Sequence, residues 1–87
     1  MNVPQVLVGI CHDLGVSVFL DVDADRLSVR YPVRDGFEEG ALRSKRFRNW
    51  LYCQLFRAEG TTPTRGELSK ALDLLTFEAW NKLWGDL

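Results

Sequence analysis

The chain has 87 residues, 46% of them hydrophobic and ten of them aromatic, with a formal charge of −1. That length suits one domain, residues 1–87, with a small core whose stability a partner would help. It excludes a membrane span, because no run approaches the roughly 20 apolar residues that one needs.

The N-terminus lacks the basic start and apolar core of a secretory signal. Cys11 and Cys53 have no metal-type spacing, and two cysteines do not make a disulfide scaffold. Both are read as reduced thiols filling a core, in a cytoplasmic protein. The small net charge conceals an asymmetry. Residues 1–25 hold four aspartates and no Lys or Arg, whereas residues 26–58 hold eight cations against three acids. The middle third is therefore the candidate anion-binding surface. The alternative is a solvated helix face with local ion pairs.

Residues 3–14 are predicted as a helix, with Val3, Val6, Leu7, Ile10 and Leu14 at helical spacing. Asn2 is a candidate cap, Pro4 falls in the first turn, and Gly15 suits a left-handed terminus. Residues 16–22 and 27–33 each alternate, with Val16, Val18, Leu20 and Val22 on one face of the first and Leu27, Val29, Tyr31 and Val33 on one face of the second. Asp23-Ala24-Asp25 between them completes a β-hairpin. A lone hairpin is unstable in water, so its apolar face needs a helix to cover it. Pro32 points to an edge strand or a strand end. Phe37 to Leu42 reads either as a short third strand or as the first turns of the next helix. Ser44 is a good cap for a helix over 45–58, ending near Gly60.

Thr64-Arg65-Gly66-Glu67 has the form of a capping box. The helix it starts carries Leu68, Ala71, Leu72 and Leu75. Phe77, Trp80, Leu83, Trp84 and Leu87 follow as a fourth helix or a bent continuation. The expected fold is α+β: an N-terminal helix, an antiparallel hairpin that can extend to three strands, then two or three packed helices.

The stretch Leu42–Phe56, LRSKRFRNWLYCQLF, is read as the central element. Phe47, Leu51 and Leu55 share one helical stripe, flanked by Trp50, while Leu42, Cys53 and Phe56 fall nearly opposite. Such a helix is gripped between two layers, or holds one layer and a partner. Lys45, Arg48, Asn49, Tyr52 and Phe56 form a further stripe in which cations and aromatics interleave. On a nucleic-acid-binding protein the cations neutralise phosphates and the aromatics stack on bases. The other reading makes Tyr52 and Phe56 core, with the cationic stems covering apolar surface.

Catalytic readings find little support. Asp21 and Asp23 form a D-x-D at a strand end, as in two-metal enzymes acting on nucleotides. Neither the archaeal-eukaryotic primase fold nor the haloacid-type phosphatase fold fits this length. A calcium loop fails at Arg26, where glycine is needed, and at Pro32, where glutamate is needed. His12 is the single histidine, and its neighbours Cys11 and Asp13 do not face it on a helix. There is no P-loop, dinucleotide fingerprint or nucleophile elbow. No catalytic residue, metal ligand or cofactor is expected.

The segment Glu39–Ala79 resembles a region of phage and mobile-element primase-helicase proteins that precedes their ATPase domain. The resemblance rests on Ser44, Phe47, Trp50, Leu51, Phe56, Gly60, Pro63, Ala71, Leu72 and Leu75. These are mainly packing and capping residues, so the resemblance implies a shared fold more directly than a shared function. Without an ATPase domain, what it implies here is an accessory role in replication. Residues 3–33 are also similar to the N-terminal β-hairpin docking domains of peptide synthetases, which bind a partner peptide by strand addition.

The leading expectation is a non-catalytic module that binds DNA, single-stranded in one version. Arg43, Lys45, Arg46, Arg48 and Arg57 would contact phosphates beside Tyr52, with Arg30 and Arg34 as additions. The competing expectation is a protein-interaction module, a docking domain or a small phage-encoded inhibitor of a host system. It would use the hairpin edge or the C-terminal Trp80, Leu83, Trp84 and Leu87, and a homodimer through that terminus is one version.

Overall fold

The computed structural model describes residues 1–85. Helix α1 runs over Val3–Asp13. The Asn2 side chain accepts the Gln5 N–H at 3.2 Å, and Pro4 occupies the first turn, where a helix leaves N–H groups unbonded. Leu14 caps the other end, followed by Gly15 at φ 73°, a conformation that side chains disfavour.

Strands β1 (Ser17–Asp21), β2 (Arg26–Val33) and β3 (Gly36–Ala41) form an antiparallel sheet in the order β1-β2-β3. Phe37–Leu42 is thus mainly third strand: Ala41 pairs with Ser28, and Leu42 just beyond it donates to the Leu27 carbonyl. Val18 lies opposite Val29, and Leu20 opposite Leu27, so one face gathers the branched side chains. On that face Val29 and Tyr31 are buried.

One expectation about the strands needs correction. Val22 does not continue the apolar face; it is 79% exposed in the Val22–Asp25 turn. The Asp21 carboxylate accepts the Ala24 N–H at 3.2 Å, and Asp25 takes a left-handed φ of 50°. This turn consumes four residues, which removes Val22 from the alternation. Pro32, expected on an edge strand or at a strand end, is the penultimate residue of the middle strand β2. It is tolerated because β1 starts at Ser17, opposite Arg30, so Pro32 has a strand neighbour only in β3. Its carbonyl accepts the Trp50 indole N–H at 2.8 Å.

Helix α2 spans Lys45–Glu59, capped by the Ser44 hydroxyl on the Phe47 N–H and by Gly60. It buries Phe47, Leu51 and Leu55. Phe47 and Trp50 meet Tyr31 of the sheet with ring centroids 5.0 and 5.5 Å away. Helix α3 spans Arg65–Trp84. The capping box is complete: Glu67 N–H donates to the Thr64 hydroxyl, and the Glu67 carboxylate accepts the Thr64 N–H. No glycine or proline interrupts residues 67–84, and α3 continues through them as one helix with no separate successor among the described residues.

The core joins Val3, Leu7 and Cys11 of α1 to Val29, Tyr31 and Leu42, to Phe47, Leu51 and Leu55, and to Leu68, Ala71, Leu72 and Leu75. Helix α1 touches both α2 and α3, and α3 also meets β1. Helix α2 holds one layer: Cys53 and Phe56, on its far side, are exposed. Cys53 is thus not core, whereas Cys11 is buried. Among the described residues no helix is long and apolar enough to cross a membrane.

Candidate nucleic-acid interface

Arg43 and Ser44 lead into α2, and Lys45, Arg46 and Arg48 lie in its first turn, which carries no acid. A helix N-terminus is already the positive end of the macrodipole, so cations there repel it and an anion is attracted. The fold divides these cations between two clefts.

The first cleft, about 530 Å³, lies between the N-terminal halves of α2 and α3. Arg43, Lys45, Arg48 and Arg65 line it, with Asn49, Tyr52 and Ser69 as hydrogen-bonding side chains. Leu68 and Leu72, both buried, also line it. None of the lining residues is acidic. Arg43 reaches out to Asp73, with Nη2 2.5 Å from Oδ1. Among the described residues, Lys45, Arg48 and Arg65 have no carboxylate partner. Tyr52 is half-buried against the core with its ring at the cleft. One turn further along the same stripe, Phe56 is 60% exposed.

The second cleft, about 740 Å³, brings Arg34, Arg46 and Arg57 together beside Trp50 and Cys53. Here the charge is partly compensated. Arg46 donates twice to Glu38, which also accepts the Tyr31 hydroxyl at 3.1 Å. The hydrogen bonds from Arg46 hold the Glu38 carboxyl below its usual value, and Arg46 itself is raised. Burial, then the bond to Glu38, pushes the Tyr31 phenol up.

The five expected phosphate contacts are therefore not one set. Arg43, Lys45 and Arg48 share the first cleft with Tyr52; Arg46 and Arg57 line the second with Arg34. Arg30 sits on the sheet face away from Tyr31, over the Phe37 ring at 4.4 Å. Arg65 was not anticipated in the first cleft. It lies in a segment read only for its capping box, and nothing in its neighbourhood signals that α3 would bring it beside α2.

Trp80, Leu83 and Trp84 lie on the part of α3 beyond Leu75, its last buried residue. The Trp80 and Trp84 rings stack at 4.6 Å. Leu83 and Trp84 are exposed, as is Phe77, while Trp80 is half-buried. Leu87 lies outside the described residues. His12 is exposed, with Nε2 3.0 Å from the Glu78 carboxylate, linking α1 to α3. Among the described residues no group of three or more His, Cys, Asp or Glu could hold a metal ion. No family model, no curated protein and no solved structure matches this chain.

Proposed function

We propose that this protein is a non-catalytic, nucleic-acid-associated module that holds a phosphate backbone in the cleft between α2 and α3. The observation that carries the reading is the placing of Lys45, Arg48 and Arg65, without carboxylate partners among the described residues, in a cleft at the positive end of α2. Like charges gathered there oppose the helix dipole, and a bound polyanion relieves that repulsion. The resemblance of residues 39–79 to primase-helicase proteins supplies the proposed setting, an accessory role in replication of a phage or mobile element. A cytoplasmic location suits the two free thiols.

Binding of labelled oligonucleotides over a salt series tests this. Three or four phosphate contacts to a single strand give a log–log slope of about −2 to −3. Joint substitution Lys45→Glu and Arg48→Glu removes most of the affinity. No binding at low salt, or an affinity unchanged at moderate salt, overturns the proposal.

A second reading rests on a different observation, the Phe77, Leu83 and Trp84 side chains exposed beyond the core. Exposed apolar patches of this kind serve protein contacts. A protein-interaction module would use this end of α3, with a second copy as one partner. Sedimentation of the purified chain decides the dimer version, which a clean monomer excludes.

A further inference from the structure

The stripe that carries Lys45, Arg48 and Tyr52 continues past the cleft to Phe56. Lys45, Asn49, Tyr52 and Phe56 follow one another at intervals of three or four residues, so they lie in line along α2. Their environments differ. Lys45, Arg48 and Arg65 surround the cleft as cations, Tyr52 turns a half-buried ring toward it, and Phe56 stands 60% exposed. A large aromatic ring left in water costs hydrophobic free energy that the core does not recover. Nothing in the packing of α2 requires it there, because Phe47, Leu51 and Leu55 already fill the buried side.

From this juxtaposition we infer that the cleft selects single-stranded over duplex nucleic acid, with Phe56 and Tyr52 stacking successive unpaired bases while Lys45, Arg48 and Arg65 hold the phosphates. The inference rests on the proposed phosphate-binding function and names its ligand class. The helical rise places residues 52 and 56 about 6 Å apart along the axis. That separation suits neighbouring bases splayed onto two rings, and not the 3.4 Å repeat of a stacked duplex strand. In a duplex the base faces are covered by their neighbours, so only the phosphate contacts remain available. Base–aromatic stacking tolerates any base, which gives a site without strong sequence preference.

Fluorescence anisotropy decides it, with labelled oligothymidylate, oligouridylate and a hairpin duplex carrying the same number of phosphates. The wild type is expected to bind either single strand more tightly than the duplex. Phe56→Ala, at an exposed position, weakens single-strand binding about fivefold or more and leaves the duplex unchanged; Phe56→Trp restores it. If Phe56→Ala changes neither ligand while Lys45→Glu with Arg48→Glu weakens both, the single-strand inference is overturned and phosphate binding stands. If the wild type binds none of the three at low salt, both are overturned.

Discussion

Arg46 grips Glu38 through two hydrogen bonds, Nε to Oε2 at 2.6 Å and Nη2 to Oε1 at 2.8 Å, tying α2 to β3. The same carboxylate accepts from Tyr31, so one acid serves a cation on the helix and a phenol on the sheet. This pairing explains why Arg46 is the cation of α2 least available to a phosphate.

It also sets a pH dependence. The folded state favours ionised Glu38, chiefly through Arg46, so its stabilisation is full above the ordinary carboxylate value. It is lost as pH falls through the depressed folded value. Tyr31 behaves in the opposite sense: its contribution is full below the ordinary phenol value and is lost as pH rises through the raised one. Glu38→Gln should flatten the acid-side loss of Tm. It should also lower the Tyr31 titration, leaving it still above the ordinary value because burial remains. Thermal melts against pH and a phenolate absorbance titration check this; unchanged acid limbs would contradict it.

Leu7 of α1 is fully buried, on the helix that contacts both α2 and α3. Leu7→Ala should therefore destabilise by about 2–5 kcal/mol, the range for a cavity in a well-packed core. Denaturant unfolding measures it, with Leu51→Ala of α2 as the comparison. A loss below about 0.5 kcal/mol, as at a surface position, would contradict the packing of α1 into the core.

The two thiols should differ sharply in reactivity. Burial, then the nearby Glu78 charge, pushes Cys11 up to about 12, whereas Cys53 is exposed beside the second cleft. Because the thiolate is the nucleophile, iodoacetamide at mildly alkaline pH should label Cys53 alone in the native protein, and both in denaturant. Mass spectrometry of the labelled peptides reads the outcome. Equal native labelling would mean that α1 opens readily.

What the sequence determined by itself was the local structure: the caps at Asn2, Ser44 and Thr64 with Glu67, the alternating strands, and the Phe47, Leu51 and Leu55 stripe. Each of these is written within a few residues, in hydrogen bonds three positions apart or in a period of 2 or 3.6. The α+β class follows from them. The boundary at Phe37 was ambiguous because a short segment containing Gly40 has weak intrinsic preference, and pairing with β2 decided it. Only the tertiary structure decided which cations stay available. Arg43 meets a carboxylate 30 residues away and Arg46 one eight residues away, across elements that the helical wheel of α2 does not contain. The same long-range packing brings Arg65 to the cleft and leaves Cys53 and Phe56 outside the core. Periodicity fixes which side chains share a face, whereas the partner that covers a face depends on how the elements dock.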